Sequence, residues 1–220
     1  MPDALRGIIT DWGGVLTAPL GPTIDAWLAA DRIDRDHYAA VMREWFAGLR
    51  TTPEGANAIH ALERGEIPVP EFERILAAEL RLEDGGPVPA EGLISRMFSS
   101  FRPVDEMYEV MRRARGRGVR TALLSNSWGN GYPRDRFAEA FDAVVISGEV
   151  GMRKPESDIF LLAAEQSGLE PRECVFIDDL EHNVEAAMDL GMIGILHTDP
   201  ATTRTLLAEA FGAELEPAGA

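Results

Sequence analysis

One cysteine, Cys174, is all the chain holds, so no internal disulfide forms and every zinc pattern built on several cysteines is excluded. Basic residues are few beside acidic ones. The 21 Lys plus Arg face 37 Asp plus Glu, for a formal net charge of −16. Such a chain repels phosphate backbones and anionic lipid, which argues against nucleic-acid binding and against a membrane surface. No apolar run reaches the roughly 18 to 20 residues that span a bilayer. The first apolar stretch, Gly7-Ile8-Ile9-Thr10, stops at Asp11 and is too short for the core of a signal peptide. A soluble, cytoplasmic protein is expected. There is no repeat with a period of roughly 20 to 50 residues and no low-complexity tract.

What is present suffices for a folded enzyme. With 45% hydrophobic residues over 220 positions, the chain can build one α/β domain with a sizeable core and a small inserted unit. Gly7 to Thr10 reads as a strand that runs into the turn Asp11-Trp12-Gly13-Gly14. From about Gly21 to Ser100 the apolar residues recur at helical spacing, in four or five short helices broken at Thr51-Thr52-Pro53, at Gly65 to Pro70 and at Asp84 to Pro89. After Pro103 the texture alternates. Helices at Val104–Arg115, Asp135–Ala140, Glu156–Ser167 and Glu181–Leu190, and a last one from about Ala201, are expected to interleave with strands at Val119–Leu124, Ala143–Ser147, Cys174–Ile177 and Ile193–Leu196. Alternation of this kind implies βαβ units and a parallel sheet with helices on both faces. The expected fold is therefore a Rossmann-like, doubly wound parallel sheet formed by residues 1–17 and 101–220, with an all-helical insertion over 18–100.

Ligands of open α/β sheets bind beyond the carboxyl ends of the strands. The residues there are Asp11 after the first strand, Ser125 and Asn126 after the second, and Asp178 and Asp179 after a later one. Lys154 follows a further strand, in Gly151-Met152-Arg153-Lys154-Pro155. Taken singly, each has an ordinary reading: an aspartate as turn residue or helix cap, a lysine as solvated surface charge. Taken together, they place carboxylates, a hydroxyl, an amide and a lysine on one rim.

These residues resemble the four motifs of the haloacid dehalogenase-like hydrolase superfamily, in order. They are Ile9-Thr10-Asp11-Trp12-Gly13-Gly14-Val15-Leu16, Leu123-Leu124-Ser125-Asn126-Ser127, Gly151-Met152-Arg153-Lys154-Pro155, and Val175-Phe176-Ile177-Asp178-Asp179 with Asn183 following. Motifs two to four are most similar to the branch that contains the N-terminal phosphatase domain of soluble epoxide hydrolases, and the helical insertion lies where that branch carries its C1-type cap. The resemblance implies a Mg²⁺-dependent phosphatase acting on a small phosphorylated metabolite. Asp11 would be the nucleophile and pass through an aspartyl-phosphate. Mg²⁺ would be held by Asp11, the Gly13 carbonyl and Asp179, with Asp178 ordering metal-bound water. Ser125 and Asn126 would bind phosphate oxygens, Lys154 would neutralise nucleophile and phosphoryl group, and Asn183 would orient the lysine or the carboxylates. Charge counting agrees. Asp11, Asp178 and Asp179 outweigh Lys154, so a phosphate dianion needs a divalent cation beside it.

One position departs from the pattern. Most phosphatases of the superfamily carry a second aspartate two residues after the nucleophile, as acid and base; here it is Gly13. Loss of a positioned acid typically costs about 10²- to 10⁴-fold in rate. Esters with a stable leaving anion should suffer least. His37, His60 and His182 have the right chemistry to substitute, and Arg50 and Arg64 to receive an anion, although helix-surface or core roles suit each of them too. The aromatics Trp27, Tyr38, Trp45, Phe46, Phe72 and Phe98 read as bundle core, whereas Trp128 is a plausible wall for substrate; Trp12 either faces the site or packs beneath it. Two other functions remain open at this point. One is a domain that keeps nucleophile and metal site but only binds a phosphorylated ligand or a partner. The other is a 2-haloacid dehalogenase, for which the acidic pair Asp178-Asp179 would be redundant.

Overall fold

Five parallel strands form the sheet of the computed structural model, which describes residues 4–48, 57–129 and 131–212. The strands are β1 (Gly7–Thr10), β2 (Arg120–Ser125), β3 (Ala143–Ile146), β4 (Cys174–Asp178) and β5 (Ile193–Leu196). Their order is β3-β2-β1-β4-β5, so the winding reverses beside β1, the point at which such sheets open a crevice. Before β2 run helices α1 (Leu20–Ala30), α2 (Arg35–Phe46), α3 (Ala58–Glu63), α4 (Val69–Glu79), α5 (Leu93–Ser99) and α6 (Asp105–Gly116). After it come α7 (Arg134–Ala140), α8 (Ser147–Val150), α9 (Ser157–Gln166), α10 (Glu181–Asp189) and α11 (Pro200–Phe211). The α/β reading of the sequence holds, with most boundaries within a residue or two.

The sheet is apolar on both faces because helices cover both. Along β1, Ile8 joins a cluster with Met107, Met111, Leu123, Val175 and Leu207, while its neighbour Ile9 joins the opposite cluster with Leu124, Phe160, Ala163 and Phe176. That is the two-residue period of a strand buried on both sides. Helices α1 to α5 bury a third cluster of their own, built on Trp27, Trp45, Ile59, Phe72, Leu76 and Leu93. The chain enters and leaves this helical layer side by side. Thr17 bridges Pro103, the Ala18 N–H donates to the Arg102 carbonyl (2.8 Å) and the Val104 N–H to that of Leu16 (2.9 Å).

One sequence reading falls differently. The third strand ends at Ile146, and Ser147 opens α8, a single helical turn too short to leave a periodic signal. The break at Thr51-Thr52-Pro53 and the anion-binding reading of Arg50 lie outside the described residues. No helix among the described residues is long and apolar enough to cross a membrane.

Candidate functional site

Strand register assembles the rim. Thr10 pairs with Leu123 on one side and Ile177 on the other, and the Asp11 N–H donates to the Ile177 carbonyl at 2.8 Å. Asp11, Ser125 and Asp178 therefore end neighbouring strands at nearly the same height. Asp179 lies one residue further, and Gly14 lets it approach. Gly14 has φ +77°, and a Cβ there would stand 2.2 Å from Asp179 Oδ2, so a side chain at this position is excluded twice over.

Lys154 is the only lysine in the chain. Its side chain is fully buried, with Nζ 2.8 Å from Asp11 Oδ1 and 2.6 Å from Asp178 Oδ2. Asn126 holds its backbone: the amide nitrogen donates to the Lys154 carbonyl (3.1 Å) and the amide oxygen accepts the Lys154 N–H (2.8 Å). Asn183 donates to both oxygens of Asp178, and the Leu180 N–H donates to Asp178 Oδ1. Ser125 Oγ lies 3.0 Å from the Tyr132 hydroxyl. Burial pushes that phenol up to about 12, so it stays protonated and remains a donor.

Ligand oxygens of Asp11, Asp178 and Asp179 lie within 4.8 Å of one another. Asp179 Oδ1 and Asn183 Oδ1 are buried with no hydrogen-bond partner. Hard oxygens gathered so closely, one of them orphaned, fit a small divalent cation. The carboxylates themselves register the crowding. Burial first, then Asp178 and Asp179, push the Asp11 carboxyl up to about 7 against the pull of Lys154. Burial and Asp178 push Asp179 up to about 6.

A raised folded-state value means that the folded protein keeps protons the unfolded chain has released. The stability tied to these two groups is full below their ordinary 3.8 and is lost as pH rises through about 6 and then about 7. A bound cation replaces those protons. Mg²⁺ is therefore expected to raise the melting temperature of metal-free protein more at pH 8 than at pH 5.5, read by differential scanning fluorimetry. No response to Mg²⁺ at pH 8 would disqualify the carboxylate cluster as a cation site.

Above the rim opens a cavity of about 350 Å³. Asp11, Gly13, Ser125, Asn126, Lys154, Asp179 and Asn183 line its floor. Asp178 lies beneath them, wholly buried. The walls are apolar: Leu20 and Ile24 of α1, Tyr38, Met42 and Phe46 of α2, Met97 and Phe98 of α5, together with Trp128. Phe46, 62% exposed, stands at the mouth. Of the aromatics read as bundle core, Trp27, Trp45 and Phe72 are core; Tyr38, Phe46 and Phe98 turn to the cavity, because helices that roof a sheet have apolar residues to bury on two sides. Trp12 does both things considered for it. It lines the cavity, stacks on Phe101 at 5.4 Å and donates its indole N–H to the Tyr108 hydroxyl.

His182 lines the cavity, but His37 and His60 do not; His37 Nε2 sits against the Glu79 carbonyl and Arg64 pairs with Glu156. Tyr132 and Glu63 line the cavity from outside the motifs, and Arg153, inside the third motif beside Lys154, pairs with Glu63.

The model of the haloacid dehalogenase-like hydrolase family matches residues 5–191. Bifunctional epoxide hydrolase 2 of Mus musculus is 27% identical over 232 residues, covering 98% of this chain; the chain spans only 40% of that enzyme's length. Sesquiterpene phosphatase astK of Aspergillus oryzae is 27% identical over 154 residues, covering 68% of this chain and 77% of its own. A HAD family enzyme of Bacteroides thetaiotaomicron, solved with magnesium and inorganic phosphate, superposes with a TM-score of 0.64 at 22% identity, covering 89% of this chain and 95% of that one. At that identity the likeness is one of fold.

Proposed function

From the premise that this chain belongs to the haloacid dehalogenase-like hydrolase family, we propose that it is a Mg²⁺-dependent phosphatase which hydrolyses a small phosphomonoester through an aspartyl-phosphate on Asp11. One observation carries the reading. A buried lysine stands between two carboxylates at the floor of a largely apolar cavity, with a third carboxylate close by. An Asp11 oxygen attacks phosphorus, the bond to the ester oxygen breaks, and that oxygen leaves with the electron pair as an alkoxide, which takes a proton from water. Water then attacks the same phosphorus, the bond to Asp11 breaks, and phosphate departs. Lys154 favours the ionised Asp11 that makes the first attack, against burial and the neighbouring carboxylates, and offsets charge on the transferring group. Ser125 turns its hydroxyl proton to a phosphate oxygen when the neighbouring Tyr132 hydroxyl donates to Ser125 Oγ. Asn126 serves the substrate through Lys154, whose peptide it grips on both sides. Asp11, the Gly13 carbonyl and Asp179 would hold Mg²⁺ and Asp178 would support them from below, the ion supplying positive charge against the carboxylates and the phosphoryl oxygens.

Residues 18–100 act in this reading as a cap that walls the cavity and keeps bulk water from the phosphoryl group. The apolar walls favour an apolar alcohol as the part released, in keeping with the sesquiterpene phosphatase among the relatives. Hydrolysis of p-nitrophenyl phosphate with Mg²⁺, and its loss with EDTA, is the test. Turnover of 2-haloacids indifferent to EDTA would overturn the reading.

The missing acid can be put back. A Cβ at Gly13 would meet Leu20, at 3.5 and 3.9 Å, and Asp11 Oδ2 at 4.0 Å, ordinary contacts that admit a side chain at this position. Gly13→Asp is expected to raise kcat/KM for an alkyl phosphate by about 10²-fold, the lower range for a positioned acid, and to change p-nitrophenyl phosphate hydrolysis little. An equal change on both esters would show that the new carboxylate does not protonate the leaving oxygen.

A further inference from the structure

Among the described residues, two cationic side chains, Arg153 and Lys154, line the cavity, and each has a carboxylate partner. Lys154 is held by Asp11 and Asp178. Arg153, the residue before it, reaches across to the helical layer, where its Nε donates to Glu63 Oε2 at 2.6 Å. The pair is nearly closed to water, with side-chain exposures of 13% and 8%. The other Glu63 oxygen accepts the Trp128 indole N–H at 3.1 Å, so the carboxylate is held on both sides. It is also held from behind. The turn that follows α3 presses Gly65 against the core, where a Cβ would stand 2.5 Å from the Gly148 carbonyl. Glu63 is thus a fixed part of the wall that faces the phosphoryl floor.

Buried ion pairs contribute little net stability, because desolvation offsets most of the attraction. A pair placed in the wall of a binding cavity has another consequence. An Arg alone would be a fork for a carboxylate or a second phosphate on the substrate. With Glu63 Oε2 on the Arg153 Nε, a second anion approaching this guanidinium meets a fixed carboxylate beside it, and it does so near Asp11 and Asp179 in a chain of net charge −16. An uncharged organic group meets no such opposition. It meets instead the apolar surfaces of Ile24, Met42, Phe98 and Trp128.

We propose that the Glu63–Arg153 pair is a charge filter that admits phosphate esters with an uncharged organic part and turns away those bearing a second anion. The inference rests on the phosphatase reading and adds to it which residues select the substrate and by what property. Discrimination of this kind comes from an opposing element as much as from attractive contacts.

Phenyl phosphate and 4-carboxyphenyl phosphate test it, since they differ by one carboxylate. For the full chain with Mg²⁺, kcat/KM is compared between the two esters. Kd is measured for both on the Asp11→Asn background. The wild type is expected to prefer phenyl phosphate. Glu63→Gln releases Arg153 from its carboxylate and should shift the ratio toward the carboxy ester by about tenfold, the scale of one charge-assisted hydrogen bond. Arg153→Gln leaves Glu63 unopposed and should shift the ratio the other way. The double variant, with the charges removed together, should return close to the wild-type ratio. If all variants lose activity on both esters in equal proportion, the pair is only a clasp between helical layer and core, and the filter is overturned. A wild type that prefers the carboxy ester overturns it as well. Turnover of neither ester by any form, with the Kd ratios in the expected order, would sink the phosphatase reading and leave the filter standing. Turnover of neither with equal Kd values would sink both.

Discussion

Asp11→Asn is expected to lower kcat for p-nitrophenyl phosphate by about 10⁴-fold or more, the scale on which hydrolases respond to loss of a covalent nucleophile. An amide cannot attack phosphorus and then be regenerated by water. The substitution is nearly isosteric, and it removes one charge from a cluster in which burial and two neighbouring carboxylates already oppose ionisation of Asp11. The metal-free variant should therefore melt no lower than the wild type, and its far-ultraviolet circular dichroism should be unchanged. That combination separates chemistry from folding. Residual turnover within tenfold of the wild type would mean that another group attacks phosphorus, and the aspartyl-phosphate would have to be abandoned.

Lys154→Met is expected to damage the fold as well as the reaction. The side chain is 2% exposed and its ammonium is the shared partner of Asp11 and Asp178. Methionine fills similar space but leaves both carboxylates without their cation, and breaking a buried ion pair from one side costs about 3–5 kcal/mol. Asp178 keeps its hydrogen bonds from Leu180 and Asn183, which moderates its share. Asp11, already raised to about 7 with the lysine present, loses the influence that pulls it down and takes up a proton more readily. The loss in urea-unfolding free energy should therefore be larger at pH 8 than at pH 5.5, and Mg²⁺ should recover part of it. An equal loss at both pH values would point to packing around residue 154 instead of charge. Turnover should fall below detection in either case.

The lysine is also the clearest example of what a sequence can carry. Every other strong base in the chain is an arginine, so a lone lysine in a Gly-Met-Arg-Lys-Pro turn stands out. Its compact ammonium sits between two carboxylates at 2.8 and 2.6 Å, a point charge where arginine would bring a planar fork of five donors. Asp11, Asp178 and Asp179 were legible for a related reason. They end apolar strands, and the ends of parallel strands are where such sheets bind ligands.

The rest of the site was not legible from local signals. Glu63 and Arg153 lie 90 positions apart, one in a helix that reads only as apolar bundle, the other inside a motif that draws attention to its neighbour Lys154. Tyr132, seven positions after Ser125, brings its hydroxyl against the Ser125 hydroxyl, and no periodicity records such a contact. Asn126 had the composition of a phosphate ligand, and only its contacts reveal that both amide atoms hold the Lys154 peptide. Tyr38, Phe46 and Phe98 share helical spacing with true core residues, since period tells which face is apolar and not what that face meets.

By itself, then, the sequence determined the alternation that makes a parallel sheet, the helical interruption after its first strand, and the charged residues at the strand ends. Each of these follows from the periods of the backbone and from residues close in the chain. The tertiary structure alone decided which apolar side chains became cavity wall, which glycine let Asp179 reach the rim, and which arginine was neutralised from across the helical layer. Those outcomes depend on surfaces meeting between distant segments, and the free energy that selects them does not exist until the layers have packed.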